Sequence, residues 1–214
     1  MRKSDKIDIV FTELEKRYAG ATTELIYETP FQLLVAVVMS AQTTDKQVNR
    51  VTEKFFDRVR VPADVCAMTL EQRTTCVQGV NYAPTKAKNL YRTAHILRDE
   101  YDSAIPQTQE ELMLLYGVGE KTAKVILHVL YDKPVIAVDT HVHRVCNRLG
   151  IVKTDEPLQT SRELERIIPD KYAQNAHHGL ILFGRYHCTA RNPKCGDCPF
   201  VSWCPAAKVF LKKK

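Results

Sequence analysis

Hydrophobic positions recur along this chain with a helical period almost from end to end. Near the start, Ile7, Val10, Phe11, Leu14 and Tyr18 share one face, with Ser4 placed to cap the helix and Gly20 just past its end. Thr29-Pro30 reads as a cap followed by proline at the first helical position. The segment that follows, Phe31 to Met39, is apolar on nearly all sides, which predicts a central, buried helix. Thr44 or Asp45 opens another helix with Val48, Val51, Phe55 and Val59 inward, and Thr69 opens a short one through Val77. Gly79 to Pro84 reads as a loop, and Thr85 to Tyr101 as an amphipathic helix with Ala87, Leu90, Ala94 and Leu97 on its apolar face. Thr108 begins a short helix that ends near Leu115.

After Gly117-Val118-Gly119 the periodicity resumes from Glu120 to Tyr131. Pro134 to Val138 is a brief extended piece, and Asp139 caps a helix that stops at Gly150. Two more helices are predicted near Glu156 to Ile168 and Asp170 to Phe183, and a cysteine-bearing loop follows. No run alternates long enough to build a sheet, so the predicted fold class is all-α, with a domain boundary at Asp132-Lys133-Pro134.

Composition fits this picture. The chain has 214 residues, 44% hydrophobic and 26% charged, enough for one large or two small globular domains without disulfide staples. The longest uninterrupted apolar run, Leu33 to Met39, is far short of the roughly 20 residues that cross a bilayer. Met1-Arg2-Lys3 leads into Ser4-Asp5-Lys6 and not into an apolar stretch, so the expected location is the cytoplasm, at the nucleoid if the source is bacterial. Between Gly184 and Lys214, seven cations (Arg185, Arg191, Lys194, Lys208, Lys212, Lys213 and Lys214) face Asp197 alone, which accounts for the whole formal charge of +6. A basic end suits a polyanionic partner such as nucleic acid, although Lys212 to Lys214 by themselves read as a solubilising tail.

The seven cysteines divide unevenly. Cys66, Cys76 and Cys146 are scattered and read as core-filling thiols. Cys188, Cys195, Cys198 and Cys204 follow the pattern C-x6-C-x2-C-x5-C, in a loop stiffened by Pro193, Pro199 and Pro205. Clustered thiolates select zinc or an iron–sulfur centre. Zinc sites usually show two close pairs and here only one pair is close, so the spacing favours iron and sulfur over a four-thiolate zinc site.

Leu115-Tyr116-Gly117-Val118-Gly119-Glu120-Lys121-Thr122-Ala123 joins two helices. The glycines serve a tight turn, and they also let backbone N–H groups approach a phosphate at a helix N-terminus. Lys121 stands in the first helical turn, where the helix dipole disfavours a cation. It is a solvated or phosphate-binding lysine, or one whose amine serves as a nucleophile. Asp139, as a cap, is a rigidly held carboxylate able to stabilise a developing cation or take a proton. His141, His143, His177 and His178 lack an acidic cluster and read as core or DNA-facing side chains.

The hairpin Leu115 to Ala123, the stretch Val135 to Val145 and the four tail cysteines, in that order and spacing, resemble the endonuclease III family of helix-hairpin-helix DNA glycosylases, over about Ile9 to Cys204. The resemblance implies an all-α, two-domain fold: a bundle of about six helices over residues 22–133, and a discontinuous domain of residues 1–21 and 134–214 with a [4Fe-4S] cluster held by Cys188, Cys195, Cys198 and Cys204. It implies a monomer that binds double-stranded DNA across the cleft between the domains. It also implies a bifunctional glycosylase and abasic-site lyase of base-excision repair, acting on oxidised or ring-saturated pyrimidines and on abasic sites.

By that likeness Lys121 matches the lysine that attacks C1′, displaces the base and forms a Schiff base before β-elimination, and Asp139 matches the aspartate that assists base departure. Gln42 looks like the residue that fills the space left by an extruded nucleotide, and Asn81 and Tyr82 lie in the loop that wedges the opposite strand. Gly117, Gly119, Thr122, His141, Arg191 and Lys194 fall where the family touches DNA. Three features depart from the pattern: Tyr116 replaces the usual proline, Glu120 adds negative charge beside the phosphate site, and the Gly79 to Lys86 loop is longer. A monofunctional adenine-specific relative is opposed by the presence of Lys121. A non-catalytic DNA-binding module is the alternative from another class.

Overall fold

The structure, a computed structural model, describes residues 1–212, with all side chains except those of residues 174 and 175. Lys213 and Lys214 of the basic tail lie outside the described residues. Among the described residues there are twelve helices and no strand, only an isolated bridge between Gln78 and Val80. No helix is long and apolar enough to cross a membrane. Chain contacts divide the molecule into two compact units, Thr23–Tyr131 and Met1–Thr22 with Asp132–Lys214.

The first unit holds seven helices: α2 (Pro30–Met39), α3 (Asp45–Phe56), α4 (Pro62–Cys66), α5 (Leu70–Cys76), α6 (Ala83–Glu100), α7 (Gln109–Leu112) and α8 (Glu120–Tyr131). Helix α2 is its axis, and every residue from Phe31 to Met39 is buried. It packs against α3, α6 and α8. Gln32, with no exposed surface, is the polar exception within α2. Its Oε1 accepts from the N–H groups of Glu28 (2.7 Å) and Thr29 (3.2 Å), and its Nε2 donates to the carbonyls of Phe56 (3.2 Å) and Val59 (2.8 Å). One side chain thus closes a capping box and ties the end of α3 to the start of α2. Thr69 and Thr108 cap α5 and α7 in the same local manner.

The second unit holds α1 (Lys3–Arg17), α9 (Thr140–Arg148), α10 (Pro157–Ile167), α11 (Asp170–Tyr186) and α12 (Ala207–Leu211). Its core joins Phe11 and Leu14 of α1 to Val142, Val145 and Cys146 of α9, Leu164 of α10, and Leu180 and Phe183 of α11. Gly184 lets α9 and α11 approach, since a Cβ there would lie 2.8 Å from that of His141.

The structure corrects several sequence expectations. Arg2, not Ser4, occupies the cap position of α1. Helix α6 begins two residues before Thr85, because Pro84 needs no N–H in a first turn. Helices α4 and α12 were not anticipated. Cys146 is wholly buried, but Cys66 and Cys76 are only half-buried and fill no core. All seven thiols are free of disulfides.

Replacing Gln32 by leucine strands two half-buried donors, the half-buried Phe56 carbonyl and the buried Val59 carbonyl, at up to about 1–3 kcal/mol each. Gln32→Leu is expected to lower the unfolding free energy by more than about 2 kcal/mol in urea melts, despite raising the hydrophobicity of the core.

Candidate functional site

In the first unit the hairpin precedes α8. Gly117 takes φ +85°, and a Cβ there would sit 3.3 Å from Val38 Cγ1. Backbone and packing both therefore require glycine at this position. A Cβ on Gly119 would meet nothing within 4 Å, so this glycine serves openness. The N–H groups of the following first turn have no carbonyl partner within the helix, which is the arrangement that binds phosphate. Lys121 is exposed and Thr122 half-buried in that turn.

Two departures in the hairpin find their explanation here. Tyr116 supplies no fixed φ, but the Arg92 guanidinium lies 4.9 Å from its ring centroid and Thr93 Oγ1 donates to its carbonyl at 3.1 Å. Side-chain contacts thus hold the turn where proline would have held it by covalent geometry. Glu120 pairs at 2.9 Å with Lys124, one turn further on and nearly buried. Its carboxylate thus has a cationic partner on its own helix.

Gln42 and Tyr82 are both exposed, and both carry left-handed backbones, φ +57° and +60°. Their loops are laced together. Asn81 Nδ2 donates to the Gln42 carbonyl, Asn81 N–H to Thr43 Oγ1 (3.1 Å), and Gln47 Nε2 to the Gly79 carbonyl (3.1 Å). Beneath them lies Lys86, a residue that sequence reasoning passed over. It is only 6% exposed, and its ammonium donates to the carbonyls of Met39 and Ala41, each at 2.8 Å. Burial lowers its pKa from the ordinary lysine value.

In the second unit Asp139 caps α9. Its Oδ1 accepts from the N–H groups of His141 (2.8 Å) and Val142 (2.9 Å), so one oxygen does the capping and Oδ2 takes no part in either bond. His141 is half-buried, with Nδ1 3.2 Å from Arg144 Nη2. His143 meets Thr160, and His177 and His178 are buried.

Cys188, Cys195, Cys198 and Cys204 line a common pocket with Leu149, Phe183, His187 and Phe210. Burial, with the neighbouring thiols adding, pushes Cys198 up to about 11, and burial raises Cys204 in the same direction. A bound centre must therefore displace protons and supply the compensating positive charge. Four soft thiol donors around one pocket suit an iron–sulfur cluster. His187, which also lines the pocket, buries an Nε2 that has no hydrogen-bond partner among the described residues.

Two arginines, four residues apart on α9, hold the cysteine loop, and neither was singled out from sequence. Arg144 donates to the carbonyls of Cys188 (3.1 Å) and Gly184 (2.8 Å). Arg148 donates to those of Thr189 and Ala190, both at 2.7 Å, and its guanidinium lies 4.5 Å from the Phe210 ring centroid. Arg191 and Lys194 stand exposed on the loop so held. The i,i+4 spacing of Arg144 and Arg148 was the available signal, but it resembles that of any charged helix face.

Residues 35–170 match the HhH-GPD superfamily of base excision DNA repair proteins, and residues 188–204 match the iron-sulfur binding domain of endonuclease III. Endonuclease III of Haemophilus influenzae is 38% identical over 95% of this chain and 96% of its own. That of Bacillus subtilis is 40% identical over 97% of this chain and 95% of its own. A solved structure of a trapped endonuclease III–DNA covalent intermediate, in an estranged-adenine complex, superposes with a TM-score of 0.92 at 40% identity, covering 99% of this chain and all of that one. The chain belongs to the endonuclease III family of helix-hairpin-helix base excision repair proteins, and its cofactor is the [4Fe-4S] cluster.

Two substitutions test this geometry. Gly117→Ala must accept a left-handed backbone, at about 1–2 kcal/mol, as well as a contact with Val38. It is expected to lower both the melting temperature and duplex affinity, read by calorimetry and fluorescence anisotropy. Cys198→Ser is expected to remove the cluster's visible absorbance and destabilise the protein, while folded molecules keep most of their single-turnover rate.

Proposed function

We propose that this protein is a bifunctional DNA glycosylase and abasic-site lyase that removes oxidised or ring-saturated pyrimidines from double-stranded DNA. The observation that carries the reading is Lys121: a solvent-exposed amine in the first turn after Gly117-Val118-Gly119, with the neighbouring carboxylate of Glu120 engaged elsewhere. The relative captured as a covalent intermediate on DNA supports it.

In this reading the first-turn N–H groups after Gly117 and Gly119, with the Thr122 hydroxyl, grip a backbone phosphate and hold register without reading bases. The damaged nucleotide leaves the stack. Gln42 occupies the vacated space, while Asn81 and Tyr82 press on the opposite strand. The neutral amine of Lys121 attacks C1′, the C1′–N bond breaks, and its electron pair leaves with the base, which takes up a proton. Loss of the amine proton and ring opening give an imine between Lys121 and C1′. Abstraction of a C2′ proton then expels the 3′ phosphate by β-elimination, and water releases the lysine from the unsaturated sugar. Asp139, fixed through Oδ1, offers Oδ2 to stabilise positive charge on the sugar as the base departs.

We assign residues 23–131 to the hairpin-bearing bundle domain and the remainder to the cluster domain. The cluster ties the four cysteines together and so orders the loop between them. The loop presents Arg191 and Lys194 to phosphates, with His141 near the start of α9 as a further contact. The enzyme acts as a monomer in the compartment that holds the DNA.

Borohydride trapping tests the chemistry. Wild type is expected to form a covalent adduct with a thymine glycol duplex. Lys121→Ala should bind an abasic duplex normally yet lose strand cleavage by at least about three orders of magnitude. Trapping undiminished in Lys121→Ala would remove this residue from the mechanism.

A further inference from the structure

Helix α2 is buried from Phe31 to Met39, so the carbonyls at its end, and those of the turn that follows, are drawn into bonds within the protein. Each of them is satisfied from within the protein. Ala36 accepts from Ser40 N–H (2.9 Å), Val37 from Ser40 Oγ (2.8 Å) and Val38 from Ala41 N–H (3.4 Å). Ser40 accepts from Thr43 N–H (3.0 Å), and Gln42 from Asn81 Nδ2. The two that remain, Met39 and Ala41, accept from the Lys86 ammonium alone of the bonds described above, at 2.8 Å each.

An ammonium is a costly way to satisfy two carbonyls. Burying it penalises its charged form and holds its pKa below the ordinary lysine value. A residue meant only to fill this space would be apolar, and two neutral donors would suffice for the carbonyls. What a buried cation adds is a strong, charge-assisted grip at the negative end of a helix dipole. The grip falls on the residue directly before Gln42, whose left-handed backbone has no glycine to ease it. Lys86 itself follows Tyr82 by one turn of α6, and its own N–H donates to the Tyr82 carbonyl at 3.0 Å. One side chain and its backbone thus reach both protruding residues.

We infer that Lys86 is a positioning residue for DNA distortion: it locks the Gln42 backbone and the Tyr82 loop into one rigid piece, so that Gln42 is already aimed when the damaged nucleotide leaves the duplex. This rests on the gap-filling role given to Gln42 above. Pre-aiming matters because a mobile glutamine would have to be ordered at the moment of extrusion, when stacking is already being lost.

A double-mutant cycle on the full enzyme tests it. Gln42→Ala, Lys86→Met and the double variant are compared on a thymine glycol duplex carrying 2-aminopurine beside the lesion, whose fluorescence reports extrusion. Each single variant is expected to slow extrusion and single-turnover excision on the order of tenfold at saturating enzyme, and Lys86→Met is expected to leave affinity for undamaged duplex unchanged. The double variant is expected to be no slower than Gln42→Ala. Additive losses would show that Lys86 acts other than through Gln42 and would overturn the inference. A Gln42→Ala enzyme with wild-type extrusion would instead remove the role of Gln42 on which it rests. Should Lys86→Met fail to fold, Lys86→Gln, a neutral donor, is measured in both backgrounds. A folded enzyme with a Gln42-dependent loss supports the inference, whereas wild-type extrusion by Lys86→Gln assigns Lys86 to satisfying carbonyls alone and overturns it.

Discussion

A helix buried on every side has to find indoor partners for all of its terminal carbonyls, and the first unit is organised around that demand. Helix α2 contributes nine consecutive buried residues, the largest single share of the core around it. At its start, Gln32 and Thr29 close a capping box with the end of α3. At its finish, Ser40 folds back and Lys86 reaches across from α6. Because the finish leads straight into Gln42, the solution to a problem of burial also fixes the loop to which the DNA-contacting role is assigned above. The same helix supplies Val38, against which Gly117 packs, so the hairpin too is located from α2.

The second unit meets a different constraint. Residues 188–206 contain no helix, and Phe200 is their one fully buried side chain. Order comes from the four thiols around their pocket and from Arg144 and Arg148, which hold three successive backbone carbonyls at Cys188, Thr189 and Ala190. Both arginines sit on α9, the helix that Asp139 caps. The carboxylate at one end of α9 and the cluster loop along its side are therefore held by a single rigid element nine residues long.

Local signals were readable in the sequence wherever donor and acceptor lie within one helical turn. The caps at Thr29, Thr69, Thr108 and Asp139 and the glycine stop at Gly150 all fall in that class. The hairpin, the capping aspartate and the four-cysteine spacing were legible for the same reason, since each is a short motif. What stayed hidden depends on distant parts of the chain. Lys86 sits among Thr85, Ala87 and Lys88 and reads as one more surface lysine, because its carbonyl partners are more than forty positions away. Helix α4, only five residues long, offers too few positions for a period to emerge, although Pro62 and Asp64 mark its first turn. Glu120 and Lys124 had the spacing of an ion pair, but the adjacent Lys121 drew the attention.

The left-handed backbones of Gln42 and Tyr82 carry an evolutionary consequence. Glycine at either position would relieve a penalty of about 1 kcal/mol or more and make the folded state more stable. It would also delete the side chain to which a contact with the duplex is assigned above. Selection for robustness and selection for repair therefore pull these two sites in opposite directions. A stability-guided redesign of this enzyme would rank glycine highly at both and would yield a sturdier protein with less grip on damaged DNA.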